Sequence, residues 1–296
     1  MLESVFLDGD RAWFAFPIEG DYQSPDIESF VWHTQNGGRT WDQIALPAWD
    51  GGAAVFFQFI DDQHGWFMTA NYAGAGSSWF LLSRTQDGGL GWDSLMAEDH
   101  AVHEYSVGIE FADENTGLMN FGHDYSYITM PIVRWTHDGG VTWDDLLFLP
   151  APADDPGLLD RAFCGTYQPH LFSPLSATLA VNCNDPTTKE QVANLLYTTS
   201  DGGSSWQTHP FPGGSIQFLS PQVGWALGPQ ISHTQDGGRS WTQMGSVPWK
   251  GQFSFVDGYR GWAVGETEAA SGSVYGLYRT EDAGRTWIEL SPVLIH

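Results

Sequence analysis

The sequence predicts an all-β fold, a six-bladed β-propeller with four antiparallel strands in each blade. Three observations in the 296 residues favour it. An eight-residue pattern recurs six times, a β-hairpin pattern precedes most of its copies, and no stretch keeps the 3.6-residue apolar period of an amphipathic helix. Repeats of about 40 to 50 residues that hold four short strands are typical of propeller blades.

The eight-residue pattern, called the octet below, reads Thr-x-Asp-Gly-Gly-x-Ser/Thr-Trp, with departures at Asn36, Gly91 and Ala283. The mean spacing of the octet tryptophans, from Trp41 to Trp287, is (287 − 41)/5, about 49 residues. Six units of that length take up the whole chain, so we expect a single domain over residues 1–296. The predicted blades are roughly 1–48, 49–98, 99–150, 151–212, 213–247 and 248–296.

The hairpin pattern supplies the first two strands of each blade, which we call strands A and B. In blade 2, for example, residues 57–61 alternate apolar and polar side chains and lead through a turn to Gly65-Trp66-Phe67-Met68. This is the signature of a β-hairpin. A weaker first copy spans 5–14, and a degenerate fourth copy spans 170–181. The segment before each octet is strand C, and the octet tryptophan opens strand D.

The octet itself is predicted to be structural, because a functional site is built once and this pattern is present six times. The third residue can accept hydrogen bonds from its own turn, and the glycines permit positive φ. We expect each tryptophan to be largely buried, so that its replacement by alanine would cost about 3–5 kcal/mol. The residues assigned to this role are Asn36, Trp41, Asp87, Trp92, Asp138, Trp143, Asp201, Trp206, Asp236, Trp241, Asp282 and Trp287.

These residues resemble a known group of repeats. The octet is similar to the Asp-box, or BNR repeat, of bacterial sialidases, sortilin-type receptors and several glycoside hydrolases. Its pairing with a Gly-Trp-Ala-Val-Gly hairpin, as at 261–265, more specifically resembles the photosystem II stability/assembly factor family. The resemblance implies the propeller fold, docking onto a protein partner and an extracytoplasmic location. The basic patch associated with docking in that family has no counterpart here.

Charge excludes several classes of partner. The chain carries 11 Lys and Arg against 36 Asp and Glu, a formal net charge of −25. Nucleic-acid binding depends on clustered Lys and Arg, so a nucleic-acid partner is excluded, and anionic membrane surfaces are disfavoured. No apolar run is long enough to span a bilayer, and residues 1–6 do not form a signal peptide. We expect a monomer without a cofactor, extracytoplasmic or secreted, with a cytoplasmic location left open.

Strand order predicts two different faces. The A–B turns and the octets, which are the C–D turns, share one face, called the octet face. The D–A and B–C connections share the other, called the loop face, and every long irregular segment falls there. Functional residues concentrate in such loops. The candidate ligand-binding residues are Trp49, Tyr72, Tyr125, Tyr127, Asp154, Asp155, Arg161 and Trp249, with an ordinary solvated rim as the alternative.

The function favoured by this reasoning is a non-catalytic binding or assembly scaffold for a protein partner or a neutral polysaccharide. Cations are scarce on the loop face, so an anionic ligand is not expected there. The alternative is a glycoside hydrolase or other carbohydrate-active enzyme that uses two loop-face carboxylates. A sialidase is excluded, because strand order leaves only Arg161 on the loop face whereas sialidases bind their substrate carboxylate with three arginines.

Two further groups of side chains are candidates, one for a metal site and one for a disulfide. Three histidines and two acids could hold a metal ion such as zinc, although their spacing matches no established motif and acidic loops often carry histidine. Cys164 and Cys183 both fall in blade 4 and could form a disulfide in an oxidising compartment, or remain buried thiols. The candidate metal ligands are His100, His103, Glu104, His123 and Asp124.

Overall fold

The structure is a computed structural model. It describes residues 3–8, 10–15, 30–46, 53–73, 77–97, 104–123, 130–228, 230–247, 249–269 and 272–290. It is all-β, with six antiparallel blades arranged as a β-propeller, which confirms the predicted fold class. The described residues contain one helix, α1, of four residues. None of their helices has the length and apolar character needed to cross a membrane.

Contacts divide the chain into two compact units. The first unit comprises Met1–Pro150 and Cys164–Pro174, and the second comprises Ala151–Phe163 and Leu175–His296. Blades 1 to 3 lie in the first unit, and their strands pair in chain order from A to D. These strands are β1 (Glu3–Phe6), β2 (Ala12–Ala15), β3 (Phe30–Thr34), β4 (Asp42–Ala45), β5 (Ala53–Phe59), β6 (Gly65–Ala73), β7 (Ser77–Thr85), β8 (Asp93–Ala97), β9 (Glu104–Phe111), β10 (Gly117–His123), β11 (Ile132–Thr136) and β12 (Leu147–Phe148).

The remaining elements follow α1 (Leu158–Arg161). Blades 5 and 6 again have four strands in chain order, and both lie in the second unit. The strands are β13 (Phe163–Thr166), β14 (His170–Ser173), β15 (Ser176–Asn184), β16 (Gln191–Thr199), β17 (Gln207–Pro210), β18 (Ser215–Phe218), β19 (Gly224–Leu227), β20 (Ile231–Thr234), β21 (Thr242–Gly245), β22 (Lys250–Phe255), β23 (Gly261–Ala269), β24 (Gly272–Thr280) and β25 (Ile288–Leu290).

Blade 4 departs from the predicted four strands. Its sheet has the order β13-β15-β16-β17, and β14 also pairs with β15, so five strands are present. The interval between Trp143 and Trp206, 206 − 143 = 63 residues, is the longest between successive octets and provides the length for the additional strand. The degenerate hairpin predicted at 170–181 corresponds to β14 and the start of β15.

Each unit has its own apolar core, built from strand residues that alternate between the two faces of a sheet. In the first unit one buried cluster surrounds Trp66 and Phe111, and another surrounds Trp13 and Phe59. In the second unit the described cluster centres on Trp225 and includes residues of blades 5 and 6. In all three clusters an aromatic side chain near the start of strand B is fully buried.

Candidate functional site

The octets form closed turns held by their own side chains. In blade 3, Asp138 Oδ1 accepts hydrogen bonds from the Thr142 N–H at 2.8 Å and the Thr136 hydroxyl at 2.9 Å. Oδ2 accepts from the Thr142 hydroxyl at 2.6 Å. The same arrangement recurs at Asp201, Asp236 and Asp282. Each of these carboxylates therefore serves its own turn, as the sequence predicted.

Hydrogen bonding also sets the ionisation of these acids. The hydroxyl and backbone N–H of Ser240 bond to Asp236 and, with Thr234, lower the pKa of Asp236 to about 2. The Ser205 hydroxyl is the largest cause of the lowered pKa of Asp201. A carboxyl held this strongly in its charged form is a poor general acid. Catalysis by the octet acids is therefore disfavoured on chemical grounds.

The octets also contact the A–B turns, which places the two sets of turns on one face. The N–H of Gly139 donates to the Asn115 carbonyl at 2.7 Å, and the N–H of Gly237 donates to the Gln222 carbonyl at 2.9 Å. Both glycines have positive φ, 73° and 74°, which L-residues adopt at a cost. The octet face predicted from strand order is therefore present in the structure.

Burial of the octet tryptophans differs from the prediction. Trp41 is exposed, at 37%, and the other five are half-buried rather than largely buried. The physical reason is that the indole lies over its own turn: Nε1 donates to the carbonyl of the second octet glycine at 3.0 Å in Trp41 and 3.2 Å in Trp143. Because each of these indoles packs in part on its own turn, we expect its replacement by alanine to cost less than about 3–5 kcal/mol.

Three tryptophans at the start of strand B, Trp13, Trp66 and Trp225, are fully buried, whereas the fourth, Trp262, is exposed at 37%. Trp66 stacks on Phe111 of the next blade with ring centroids 3.8 Å apart, and its Nε1 donates to the carbonyl of Gly139 at 3.0 Å. Trp225 stacks on Phe255 at 3.9 Å and donates to the carbonyl of Ala283 at 3.1 Å. We call this pairing of a strand-B indole with the next octet the Trp–octet contact.

A second link between neighbouring blades involves the amide of strand A. Gln58 bonds to both backbone groups of Phe111: its Nε2 donates to the carbonyl at 3.0 Å and its Oε1 accepts from the N–H at 2.8 Å. Gln217 makes the same two bonds to Phe255, at 3.2 and 2.7 Å. The planar amide matches the donor and acceptor of one residue.

Glu110 occupies the position of these glutamines in blade 3, and the sequence did not single it out. Its Oε2 accepts from the Leu171 N–H at 3.2 Å, the counterpart of the bond that Gln58 accepts from Phe111. The residue is half-buried, and desolvation of its carboxyl raises the pKa to about 8 although the Leu171 N–H acts in the opposite direction. The carboxyl is therefore mostly protonated at neutral pH. The signal for it was an acid at the position where the hairpins of blades 2 and 5 carry glutamine.

A cavity of about 210 Å³ opens on the octet face between blades 4 and 5, within the second unit. Ala177, Thr178 and Gly237 are buried in its floor, whereas Gln222 and Arg239 are exposed at its mouth. Arg239 is the one charged side chain of the lining. The full lining is Ser176, Ala177, Thr178, Thr198, Thr199, Ser200, Ser205, Gln207, Pro221, Gln222, Gly237 and Arg239.

The predicted loop-face residues are only partly within the described chain. Trp49, Tyr125 and Tyr127 lie outside it, and only the backbone of Tyr72, in β6, is described. The other four, Asp154, Asp155, Arg161 and Trp249, can be placed.

Of these, Asp154 and Arg161 are exposed, and Asp155 is half-buried beside Arg161. The guanidinium of Arg161 makes two hydrogen bonds to the Asp155 carboxylate, which lower the pKa of Asp155. Arg161 is therefore already neutralised by its neighbour. Sequence analysis left Arg161 as the one arginine of the loop face, and in the structure its charge is paired with that of Asp155.

Trp249 requires a correction. It is 4% exposed and belongs to the core of the second unit. Its ring stacks on Tyr278 with centroids 5.4 Å apart and meets the edge of Trp287 at 5.4 Å. A ligand cannot use a side chain that the blade itself covers, so Trp249 is a packing residue.

The candidate metal ligands are largely untested by the structure. His100, His103 and Asp124 lie outside the described residues, and only the backbone of Glu104 and His123 is described. These last two lie in β9 and β10 and are direct partners across that ladder. Within the described part of the chain, no group of three or more His, Cys, Asp or Glu is arranged to hold a metal ion.

Cys164 and Cys183 are both disulfide-bonded, and neither is a free thiol. Cys164 lies in β13 and Cys183 lies in β15. A register counted from the hairpins of the other blades does not apply to Cys164, because those blades lack a counterpart of β13.

Comparison with known proteins identifies the fold. A scan against models of protein families finds no match, and a search of curated proteins finds none. Among solved structures, YCF48 bound to a D1 peptide matches over 97% of this chain and 79% of its own, with TM-score 0.58 and 16% identity. The PL25 ulvan lyase bound to a GlcA-Rha3S saccharide matches over 98% and 82%, with TM-score 0.60 and 12% identity.

A third solved structure is a mutant of the α-L-arabinofuranosidase Arb93A from Fusarium graminearum, in complex with an iminosugar inhibitor. It matches over 97% of this chain and 91% of its own, with TM-score 0.56 and 11% identity. At these identities the three structures share the propeller fold with this chain. A propeller hosts unrelated functions, so the site has to decide between them.

Proposed function

We propose that the protein is a non-catalytic binding or assembly scaffold whose loop face binds a protein partner, with a neutral polysaccharide as the other ligand class. The observation that carries the proposal is the charge of the described loop face. Arg161 is paired with Asp155, and Lys189 lies 5.3 Å from the ring centroid of Phe163, whereas Asp154 and Asp160 are exposed. Such a surface complements a basic segment of a partner.

The structural neighbours support this proposal at the level of the fold. YCF48, the photosystem II assembly factor in our resemblance, is seen with a D1 peptide, so a propeller of this size can bind a segment of another protein. The Asp-box character of the octets and the relation to that assembly-factor family are part of the proposal. The octet geometry supports the first, because the third octet residue, an aspartate in five copies and Asn36 in the first, closes its own turn.

The test is titration of the protein with an oligolysine peptide and with a neutral β-glucan oligosaccharide at two ionic strengths. We expect the peptide to bind and its affinity to fall as salt rises, because exposed charges are screened beyond about 8–10 Å at physiological ionic strength. Replacing Asp154 and Asp160 with Asn should weaken peptide binding. The matched control replaces Asp42 and Asp93 with Asn. These exposed acids are the first residues of β4 and β8, directly after the octets, and their replacement should leave peptide binding unchanged. If the two variants weakened peptide binding equally, the assignment of binding to the loop face would be contradicted.

The second candidate function is a carbohydrate-active enzyme, and Glu110 is the observation that favours it. A glycosidase needs one carboxylic acid with a raised pKa, and desolvation gives Glu110 a pKa of about 8. Its equivalence to Gln58 and Gln217 supports a structural role instead. Glu110→Gln decides between them, because it preserves the link to Leu171 and removes the acid. Release of reducing ends from arabinan or xyloglucan by the native protein, lost in this variant, would establish the enzyme.

We also propose an extracytoplasmic location. The bonded state of Cys164 and Cys183 supports it, since disulfides persist in oxidising compartments and are rare in the cytosol. Thiol labelling of the protein in freshly lysed cells tests it. Unreactive cysteines before reduction and reactive ones after it are expected, and reactive thiols without reduction would contradict it.

A further inference from the structure

The cavity on the octet face lies where the repeat normally places a tryptophan. Trp66 pairs with Arg84 across the β6–β7 ladder, one residue beyond the Gly65–Thr85 pair that starts it. In blade 4 the corresponding pairs are Ala177–Thr199 and Thr178–Thr198. Thr178 therefore stands in the register position of Trp66, and Thr198 in that of Arg84.

The next octet shows the same correspondence. Trp66 donates to the carbonyl of Gly139, the first glycine of the octet of blade 3. The equivalent glycine for blade 4 is Gly237, and it lines the cavity together with Thr178. The cavity is thus the space of an absent Trp–octet contact, opened by a small side chain where other blades have a large one.

The lining of the cavity is mostly polar. Six of its twelve residues carry hydroxyls, two carry amides and one carries a guanidinium, and none carries a carboxylate. This absence stands out in a chain with net charge −25. Thr178 is only 3% exposed, and its Oγ1 has no hydrogen-bond partner among the described residues. A buried hydroxyl without a partner is destabilising, and a ligand hydroxyl bonded to it would remove that penalty.

We infer that this cavity binds a single sugar ring, and that a ring bearing a carboxylate is preferred. A volume of about 210 Å³ is large enough to take in one monosaccharide unit. Thr199 and Ser205 already donate their hydroxyls to Asp201, whereas the Thr178 hydroxyl has no partner among the described residues. Hydroxyls and amides can both donate and accept, which matches a polyhydroxylated ring. Arg239 stands at the mouth with one N–H directed to the Asp236 carbonyl, and a guanidinium is suited to a carboxylate substituent. An inserted aromatic side chain would leave the hydroxyls of the floor unpaired.

This site is distinct from the loop face, so the two proposals can fail separately. The probes are glucuronic acid, glucose and indole, the last standing for an aromatic side chain of a partner. Binding is measured by NMR titration of the full chain. We expect saturable binding of glucuronic acid, weaker binding of glucose and none of indole. Binding of indole without either sugar, or no saturable binding of any sugar, would overturn the inference.

Three variants localise the site. Thr178→Trp restores the residue of the repeat, and we expect it to abolish sugar binding and to raise Tm. The matched control, Val256→Trp, adds an indole at an exposed position of the same unit and should leave binding unchanged. Thr178→Val keeps the shape of the cavity and removes the unpaired hydroxyl, so weaker binding with equal or higher Tm is expected. Arg239→Gln should remove the preference for glucuronic acid over glucose. Unchanged binding in both Thr178 variants would place the sugar elsewhere.

Discussion

The indole N–H of Trp66 in blade 2 donates to the carbonyl oxygen of Gly139 in the octet of blade 3, at 3.0 Å and across 73 positions of the sequence. The ring is fully buried and stacked on Phe111 at the same time. One side chain thus satisfies a buried carbonyl, fills the space between two sheets and fixes their register. Trp225 repeats the arrangement with Ala283.

The first prediction concerns this contact. Trp66→Ala should lower the free energy of unfolding by about 3–5 kcal/mol, because it leaves a large cavity and an unpaired carbonyl. Trp143→Ala should cost less, about 1–3 kcal/mol, because that octet indole is half-buried. Urea denaturation of both variants measures the difference. A larger loss at Trp143 would contradict the assignment of Trp66 as the more stabilising tryptophan.

Glu110 gives the second prediction. Its folded pKa of about 8 lies above the ordinary value of 4.5, so the folded state holds the proton more tightly. Its contribution to stability is therefore present below about pH 4.5 and is lost as pH rises toward 8. Glu110→Gln removes this dependence, and at pH 8–9 the variant should be more stable than the native protein by about 1–3 kcal/mol.

The control for Glu110 is Glu114→Gln, an exposed acid in the adjacent A–B turn, which should leave the alkaline arm of the stability curve unchanged. Denaturation midpoints from pH 5 to 9 provide the comparison. Parallel curves for the native protein and Glu110→Gln would contradict the raised pKa.

The third prediction concerns the octet acids, whose contribution to stability is lost as pH falls rather than as it rises. The pKa of Asp236 is lowered to about 2, chiefly by the Ser240 hydroxyl, so its stabilising effect is present above about pH 4 and is lost as pH falls toward 2. Asp236→Asn should flatten the acid arm of the stability curve. The first octet, which has Asn36 in this place and keeps the bond to the Thr40 N–H, indicates that the turn still closes. An acid arm identical to that of the native protein would show that the carboxylate is not held in its charged form.

Ala283 provides the fourth prediction. It stands at φ 61° where the other octets have glycine, a conformation that costs an L-residue about 1–2 kcal/mol. Ala283→Gly should raise the free energy of unfolding by up to about 1 kcal/mol, after the larger entropy of unfolded glycine is counted. The reverse change, Gly139→Ala, should destabilise, because its Cβ would lie 2.5 Å from the Glu114 carbonyl oxygen. Thermal unfolding measures both, and a lower Tm for Ala283→Gly would count against the strain.

Sequence reasoning reached the features that depend on local chemistry. The turn closed by Asp138, the positive φ of Gly139 and the number of blades all follow from one repeated pattern. It failed where packing between repeats decides. Trp66 and Trp143 are the same residue type, and only the position of the neighbouring sheet makes one buried and the other half-buried. Trp249 was misassigned for the same reason.

The candidate site was harder to predict than the fold. The loop face was chosen from loop length and charge, and much of it lies outside the described residues. The cavity was missed because it arises from an exception, a threonine at 178 in a degenerate copy of the hairpin. The ladder register shows that Thr178 replaces a tryptophan. A repeat-by-repeat alignment anchored on the octet threonines, such as Thr199, contains that signal.

The Trp–octet contact joins groups that both lie at the turn end of their blades. Successive octet tryptophans are 143 − 92 = 51 residues apart where blade 2 makes the contact with blade 3, and 287 − 241 = 46 apart where blade 5 makes it with blade 6, so the contact tolerates a difference in the length of the connections at the opposite end. Duplication of a whole blade copies one donor indole and one acceptor turn, and so regenerates a matched junction with both neighbours. A propeller built in this way can lengthen its distal loops, or acquire a new blade, by single genetic events that leave its existing junctions intact.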